Sequence, residues 1–246
     1  MLKNKTVVIT GSNRGIGYSI LEKFSENGAN IIACSRKNEP NFQDNLDKIS
    51  KKYNNQIKGF CFDLKDMGQV EENANKILEL NLNIDVLVNN AGINHVALFQ
   101  MTSIKKIKEV FDINFFSHLL LTQKIIKKMI KNKKGSIINI SSNAATECDI
   151  GRSAYSSSKA AIISFTKVLS KELGPYNIRT NAIAPGLTET NMMDENISKK
   201  IIDEAIKKIP LKRPAAPSEI SNVALFLASD LSSYVNGEVI YVTGGY

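Results

Sequence analysis

Short, almost continuous runs of apolar residues recur along the chain and alternate with longer stretches of helical period. The clearest runs cover residues 7–9, 31–33, 86–88 and 137–140. Apolar residues that follow one another without alternation are typical of parallel strands covered by helices on both faces. The pattern therefore predicts an α/β fold with a doubly wound parallel sheet. No linker divides the 246 residues, so we expect a single domain over 1–246.

The composition narrows the classes of function that such a domain can serve. No stretch approaches the ~20 apolar residues of a membrane-spanning helix, and the first strand pattern begins too close to Met1 for a signal peptide. The three cysteines are widely spaced without a C-x-x-C pair, and there are only two histidines. We expect reduced thiols, a cytoplasmic location and no metal site.

The chain is basic, with a formal net charge of +8 and lysine clusters within residues 127–134 and 199–208. A lysine-rich surface facing water is the simplest explanation, and attraction of an acidic ligand or partner is the alternative. No nucleic-acid-binding module accompanies the charge, so nucleic acid is not an expected partner.

A glycine-rich segment follows the first strand and precedes a helical pattern over residues 16–24. The order strand, glycine turn, helix is the context in which such a segment binds a dinucleotide. Glycines let the backbone approach the pyrophosphate, and the start of the helix offers free N–H groups. The segment, with spacing G-x-x-x-G-x-G, consists of Gly11, Ser12, Asn13, Arg14, Gly15, Ile16 and Gly17.

Tyr155 and Lys159 are four residues apart in a helical pattern, so they lie on one face, one turn apart. A nearby ammonium favours the phenolate, and we expect Lys159 to lower the pKa of Tyr155. Such a pair suits the transfer of a proton between an alcohol and a carbonyl. The same pair also arises by chance on helix surfaces, so its meaning depends on the other motifs.

Further motifs follow in a fixed order along the chain. They are an Asn-Asn-Ala-Gly segment at 89–92, Asn114 in a helix that begins near Thr102, Ser141 and Ser142 after a strand at 136–140, and Pro185-Gly186. Together with the glycine turn and the Tyr–Lys pair, these motifs resemble the short-chain dehydrogenase/reductase family over residues 5–245. The resemblance implies a single-domain Rossmann fold and an oxidoreductase that uses a nicotinamide dinucleotide.

In this family the end of the second strand selects between NAD and NADP. Ser35 stands where NAD-selective members carry an acidic residue; Arg36 follows it, and Arg14 matches a second basic residue of NADP-preferring members. An arginine binds a 2′-phosphate through paired hydrogen bonds, which predicts NADP(H). The resemblance implies further cofactor contacts from Asp63, Leu64, Asn90, Ala91, Gly92, Tyr155, Lys159, Pro185, Gly186, Thr188 and Thr190.

Four residues match the catalytic tetrad of the family, namely Asn114, Ser142, Tyr155 and Lys159. Ser142 is chosen over Ser141 because it lies 13 residues before Tyr155. The resemblance implies that Tyr155 protonates a ketone oxygen, Ser142 hydrogen-bonds that oxygen, Lys159 binds the nicotinamide ribose, and Asn114 holds a water. A lid at about residues 188–210 would cover the site, with Met192 and Met193 as apolar lining.

Segments at 209–213, 217–220 and 224–230 resemble 3-oxoacyl-[acyl-carrier-protein] reductases, which implies a 3-oxoacyl thioester substrate and a role in fatty acid biosynthesis. Lys133 keeps one of the two basic positions that grip the carrier protein in that group, whereas Tyr176 replaces the other. The loop at 146–152 carries Glu147, Asp149 and Arg152, which either bind a polar substrate or face water.

Two other readings therefore remain open. One is a reductase or dehydrogenase of a sugar or other polar metabolite, and the other is a non-catalytic NADP-binding sensor. The resemblance also implies a homotetramer that packs through helices at about 115–131 and 153–173 and through a strand at 239–242.

Overall fold

The computed structural model of the protein describes residues 1–36, 41–190 and 199–246. Within these residues, seven strands form one parallel sheet in the order β3-β2-β1-β4-β5-β6-β7, so the expected doubly wound fold is confirmed. The strands are β1 (Thr6–Thr10), β2 (Asn30–Ser35), β3 (Ile57–Cys61), β4 (Val86–Asn89), β5 (Gly135–Ile140), β6 (Ile178–Pro185) and β7 (Val239–Val242).

Helices cover both faces of the sheet. In the described residues they are α1 (Gly15–Glu26), α2 (Phe42–Tyr53), α3 (Met67–Glu79), α4 (Ile104–Phe111), α5 (Ser117–Asn132), α6 (Ala144–Glu147), α7 (Ser153–Leu173), α8 (Lys199–Lys208) and α9 (Pro217–Ala228). None of them is both long enough and apolar enough to cross a membrane.

Strand β1 shows why the apolar runs are continuous. Val7 and Ile9 pack into a core under α1, α2 and α9, whereas Val8 packs into a second core under α3, α5 and α7. All three residues are fully buried. Because successive side chains of a strand point to opposite faces, a strand with helices on both sides needs an apolar residue at every position.

Several boundaries differ from those read in the sequence. The helix expected from near Thr102 begins at Ile104, ends at Phe111, and continues as a π-helical turn, Asp112–Phe116, before α5 starts. Ser103 moves the start because its side chain caps the helix, accepting a hydrogen bond from the N–H of Lys106. The predicted helix at 153–173 and strand at 239–242 have the expected bounds.

The strand order places a crevice at the carboxyl end of the sheet. β1 pairs with β2 on one side and with β4 on the other, so the direction of winding reverses between β1 and β4. Ligands of open α/β sheets bind outside the carboxyl ends of the strands at such a reversal. The glycine turn after β1 and the Asn90–Gly92 segment after β4 meet there.

Candidate active site

A cleft of about 410 Å³ opens at the carboxyl ends of the strands. Most of the residues singled out in the sequence line it, including those of the glycine turn, the Tyr–Lys pair and the segment after β6. Of the predicted catalytic and cofactor-binding residues, two do not. Ser12 is fully buried and donates its hydroxyl to the carbonyl of Cys34 at 3.1 Å, so it fixes the turn from behind. Asn114 lies behind the wall of the cleft and is 1 % exposed.

Two glycines of the turn have no room for a side chain. A Cβ at Gly17 would lie 2.1 Å from the carbonyl oxygen of Gly11 and 2.4 Å from Asn90 Nδ2. Gly11 has φ +65, a left-handed conformation, and a Cβ there would lie 2.9 Å from Ala91 Cα. The tight packing keeps bare backbone at the start of α1, where N–H groups are free to bind an anion.

Asn90 braces the turn from the neighbouring strand. Its Nδ2 donates to the carbonyl oxygens of Thr10 at 2.9 Å and Gly11 at 3.2 Å. Its backbone N–H and that of Ala91 donate to the Thr10 hydroxyl at 2.9 and 3.1 Å. The segments after β1 and β4 are therefore locked together, which makes this part of the cleft a preformed cradle.

The far end of this cradle is polar and basic. Ser35 ends β2 and is buried, and its hydroxyl lies 3.5 Å from Cys61 Sγ. Arg36 follows it, lines the cleft and is exposed. Asp63 also lines the cleft, and its Oδ1 accepts the N–H of Lys65 at 2.9 Å.

Tyr155 and Lys159 face the cleft from the first turns of α7. Lys159 is 4 % exposed, and its ammonium donates to the carbonyl of Ile140, at the end of β5, at 2.9 Å. The Lys159 Nζ lies 5.9 Å from the centre of the Tyr155 ring. Burial disfavours the charged form and lowers the pKa of Lys159 to about 8.

The expected effect of Lys159 on Tyr155 is not what the structure shows. Burial raises the pKa of Tyr155 above its ordinary value, and the opposing influences are a hydrogen bond with Ser142 and the charge of Arg152. The prediction was wrong because it considered only the helical spacing. In the fold the ammonium of Lys159 is bonded to a main-chain carbonyl, and burial of the phenol outweighs the influences that lower its pKa.

The two serines after β5 have different partners. Ser141 donates its hydroxyl to the carbonyl of Lys159 at 2.8 Å and so ties β5 to α7. The Oγ of Ser142 accepts the N–H of Ala144 at 3.2 Å, and its hydroxyl lies close enough to Tyr155 to favour the phenolate there. Of the two side chains, that of Ser142 is the one placed beside the phenol.

Asn114 lies in the π-helical turn and holds the segment after β4. Its Oδ1 accepts the N–H of Ile93 at 2.8 Å, and its Nδ2 donates to the carbonyl of Ile93 at 3.0 Å and to Ser158 Oγ at 3.1 Å. A Cβ at Gly92 would lie 3.2 Å from Asn114 Oδ1 and 3.4 Å from Lys159 Nζ. The glycine therefore lets the amide and the ammonium approach one another.

His118 was not among the residues predicted from the sequence, yet it supports the same wall of the cleft. It is 3 % exposed, and its Nε2 lies 2.9 Å from the carbonyl oxygen of Ala91. A carbonyl only accepts, so Nε2 carries the proton. Burial, with a contribution from the charge of Lys159, lowers the pKa of His118 to about 3 and keeps it neutral. Its position four residues after Asn114 was the available signal.

The loop before α7 reaches the mouth of the cleft. Asp149 and Arg152 line the cleft, whereas Glu147 does not. Ile150 between them is 88 % exposed. Cleft-lining residues that the sequence analysis did not single out include Ile93, Asn94, Asn143, Leu187 and Tyr246.

The predicted lid falls partly outside the described residues. Thr188, Thr190, Ala205 and Ile209 line the cleft, and α8 carries Ala205. Met192 and Met193 lie outside the described residues. In the part that is described, no group of His, Cys, Asp and Glu side chains is arranged to hold a metal ion.

The cradle fits a dinucleotide phosphate. It offers bare backbone where a Cβ would collide, a helix start, and arginines at positions 14 and 36 beside a serine rather than a carboxylate. Four basic and two acidic side chains line the described cleft, namely Arg14, Arg36, Arg152 and Lys159 against Asp63 and Asp149. The lining is thus suited to anionic ligands.

Comparisons with known proteins agree with this geometry. Residues 11–246 match a family model described as enoyl-(acyl carrier protein) reductase. The 3-oxoacyl-[acyl-carrier-protein] reductase FabG of Aquifex aeolicus is 40% identical over 244 residues, which cover 99% of this chain and 98% of that protein. The 3alpha-hydroxysteroid dehydrogenase of Mediterraneibacter gnavus is 38% identical, over 99% of this chain and 97% of its own length.

A solved structure is also closely similar. It is a candidate NAD(P)-dependent gluconate 5-dehydrogenase from Beutenbergia cavernae with NADP bound at low occupancy. The match has a TM-score of 0.93 and 31% identity, and it covers 99% of this chain and 97% of the other. These relatives share one fold and act, by their names, on unlike substrates, so the substrate must be argued from the site.

Proposed function

The chain belongs to the short-chain dehydrogenase/reductase family, and we propose that it uses NADPH to reduce a ketone to a secondary alcohol, with a 3-oxoacyl thioester as substrate. The observation that carries the proposal is the arrangement at Tyr155. A partly buried phenol faces the cleft beside Ser142, and a buried ammonium, that of Lys159, stands one helical turn away.

Residues of the cradle would hold the cofactor. The glycine turn and the start of α1 suit the pyrophosphate, Arg14 and Arg36 suit the 2′-phosphate, and Asp63 and Leu64 suit the adenine. Asn90, Ala91, Gly92, Pro185, Gly186, Thr188 and Thr190 complete the proposed contacts. NADPH supplies a hydride when it is bound.

The protein supplies the proton and the polar groups around the reacting oxygen. Since burial raises the pKa of Tyr155, the phenol is protonated at neutral pH, which is the form that donates. Ser142, which lines the cleft beside the same phenol, is placed to donate to the ketone oxygen as negative charge develops on it. Lys159, with its pKa near 8, can hold or release a proton close to working pH.

Asn114 has a positioning role in this proposal. Its amide bonds both polar groups of the Ile93 backbone and Ser158, one residue before Lys159. It thereby fixes the wall after β4 against α7. A π-helical turn at this point is consistent with function, because such turns are frequent at functional sites.

The thioester is favoured as substrate by the names of the relatives that match over nearly their whole length. The charged loop at 146–152 favours a second candidate, a polar metabolite such as a sugar, because Asp149 and Arg152 line the cleft. A non-catalytic sensor is the weakest reading, since it has no use for a protonated phenol beside Ser142 and Lys159.

The proposal includes a homotetramer and a cytoplasmic location. Exposed apolar residues on the proposed contact elements support the assembly, including Phe116 before α5, Val168 on α7 and Tyr241 on β7. Sedimentation as a monomer at micromolar concentration would contradict it. The three cysteines are free, which suits a reducing compartment.

The test is NADPH oxidation with an acetoacetyl thioester, run beside a panel of keto-sugars. We expect Tyr155→Phe to lower turnover by ~10² or more, because the proton donor is lost, while NADPH affinity is kept. Tyr176→Phe, at an exposed tyrosine outside the cleft, is the matched control and keeps full activity. Full turnover by Tyr155→Phe would contradict the mechanism, and turnover of keto-sugars alone would replace the substrate.

A further inference from the structure

Arg152 stands beside the proposed proton donor, and no side chain among the described residues forms an ion pair with it. It lines the same cleft as Ser142 and Tyr155, and its charge acts on the phenol of Tyr155. Its guanidinium makes no hydrogen bond and no ion pair with any part of the chain that the structure describes, and Asp149 is not within ion-pair distance.

Other arginines of the protein are engaged by the fold. Arg213 forms a bidentate pair with Glu219 at 2.7 and 2.8 Å. Arg179 donates to the carbonyls of Leu227, Ser229 and Val235. Arginine side chains that serve the structure are thus recognisable here by their partners, and Arg152 is not one of them.

The backbone of Arg152 is nevertheless held in place. Its N–H donates to the carbonyl of Asp149 at 3.3 Å, and its carbonyl accepts the N–H of Ser156 at 2.8 Å. Gly151 before it turns with φ +80, and its carbonyl accepts the N–H of Ala97 at 2.9 Å. The guanidinium is therefore presented to the cleft from a fixed point rather than from a loose loop.

The position offers the fold no electrostatic gain. Arg152 is the N-cap residue of α7, where the helix dipole disfavours a cation, and the first turn of α7 has no acidic residue. An anion bound at this point would gain from both the guanidinium and the helix start. A carboxylate is the anion that an arginine fork fits through two parallel hydrogen bonds.

We infer that Arg152 binds a carboxylate of the substrate, so that the enzyme also reduces short oxo acids to hydroxy acids. The inference rests on the proposed function, because it uses the same proton donor and NADPH as reductant. The ketone carbon receives the hydride, the ketone oxygen receives the proton of Tyr155, and the products are the hydroxy acid and NADP⁺. The carboxylate remains ionised and takes no part in the bond changes.

The spacing limits the class of acid. Arg152 is the N-cap residue of α7 and Tyr155 is the third residue of that helix, so the two side chains start about one helical turn apart, which for helical neighbours is about 5–6 Å between Cβ atoms. The ketone and the carboxylate must then be close in the molecule. A 3-oxo acid meets this condition and has the same carbon skeleton as the end of a 3-oxoacyl thioester.

The experiment compares acetoacetate with its methyl ester under NADPH, for the wild type, Arg152→Gln, Arg152→Lys and Lys167→Gln. Lys167→Gln removes one positive charge from an exposed position on the same helix and is the matched control. The readout is the ratio of kcat/KM for the acid to that for the ester. The ratio is used because Arg152 also acts on Tyr155, which both substrates need.

We expect Arg152→Gln to lower this ratio about tenfold or more, since a charge-assisted bidentate contact is lost. Arg152→Lys should restore part of it, and Lys167→Gln should leave it unchanged. An unchanged ratio in Arg152→Gln, or turnover of the ester but not of the acid by the wild type, overturns the inference.

A second measurement needs no variant. Butanoate should inhibit reduction of the ester by the wild type at least about tenfold more strongly than the uncharged butanamide does, because only the former offers a carboxylate to Arg152. Equal inhibition overturns the inference. Failure of the proposed function looks different: then the thioester and the ester are not reduced either, whereas failure of this inference alone leaves their Tyr155-dependent reduction intact.

Discussion

The two ends of the cleft are built in different ways. The glycine-turn end, formed by residues 11–17 and 90–92, consists of backbone packed without spare room, and Asn90 braces it with hydrogen bonds. The substrate end, formed by residues 146–152, is a largely exposed loop in which Ile150 is 88 % exposed. One end is fixed by close packing of the backbone, whereas the other is held by main-chain hydrogen bonds and leaves most of its side chains exposed.

This difference separates the part of the cleft that tolerates few substitutions from the part that tolerates many. A side chain added to the glycine turn would collide with main-chain atoms, so the turn tolerates few sequences. A change in the exposed loop removes few contacts and so costs the fold little. The cradle therefore identifies the class of cofactor, whereas the evidence on the substrate comes from single side chains such as that of Arg152.

The largest effect is expected from Gly17→Ala, which tests whether close packing fixes the glycine-turn end. Its Cβ would lie 2.1 Å from the carbonyl oxygen of Gly11, so the turn must move. We expect NADPH affinity to fall about 100-fold, which corresponds to about 3 kcal/mol of binding free energy. Fluorescence titration with NADPH would measure the affinity, and thermal unfolding would measure any loss of stability. Gly174→Ala, where the added Cβ meets only Asn236 Nδ2 at 3.6 Å, is the control, and equal losses in both variants would refute the packing argument.

At the same end, the buried His118 makes the free energy of unfolding depend on pH. The unfolded chain binds a proton at the ordinary pKa of 6.5 and the folded protein only at about 3, so stability falls as the pH drops from 6.5 towards 3. At pH 5 the loss is about 2 kcal/mol relative to pH 7.

Urea unfolding at several pH values would show the effect. His118→Gln should lose about 2 kcal/mol less than the wild type between pH 7 and 5, because it lacks the buried imidazole. His95→Gln, at a histidine that is not buried, is the control and should follow the wild type. Parallel pH curves for the wild type and His118→Gln would show that His118 is not held neutral by the fold.

Arg36→Ala tests the outer edge of the cradle, where the packing gives way to an exposed charge. We expect NADPH affinity to fall about tenfold and NADH affinity to stay the same, because only NADPH carries the 2′-phosphate. Lys48→Ala, on the exposed face of α2, controls for general charge loss. Equal losses for both cofactors would mean that Arg36 does not bind the 2′-phosphate.

The smallest effect is expected at the loop. Ile150→Ala should change the free energy of unfolding by no more than about 0.5 kcal/mol, whereas Ile138→Ala, fully buried in β5, should cost about 2–5 kcal/mol. NADPH affinity should be unchanged in Ile150→Ala. A large stability loss at Ile150 would show that the loop is packed in solution and would remove the contrast between the two ends.

The parallel sheet and the cradle could be predicted because their causes are local. Continuous apolar runs follow from burial on both faces, and the glycines at positions 11 and 17 mark places where backbone meets backbone. The π-helical turn around Asn114 could not be predicted, because it depends on hydrogen bonds to Ile93, on another segment.

At Tyr155 the sequence predicts the position of the side chain but not its pKa. The sequence alone determined which side chains share a face of α7, because helical spacing is a local property. Only the tertiary structure decided the direction in which the pKa of Tyr155 is shifted, since burial raises it, Ser142 and Arg152 oppose that rise, and the ammonium of Lys159 is bonded to Ile140. The reason is that desolvation and charge depend on everything that surrounds a group in space, and most of those neighbours are far away in the chain.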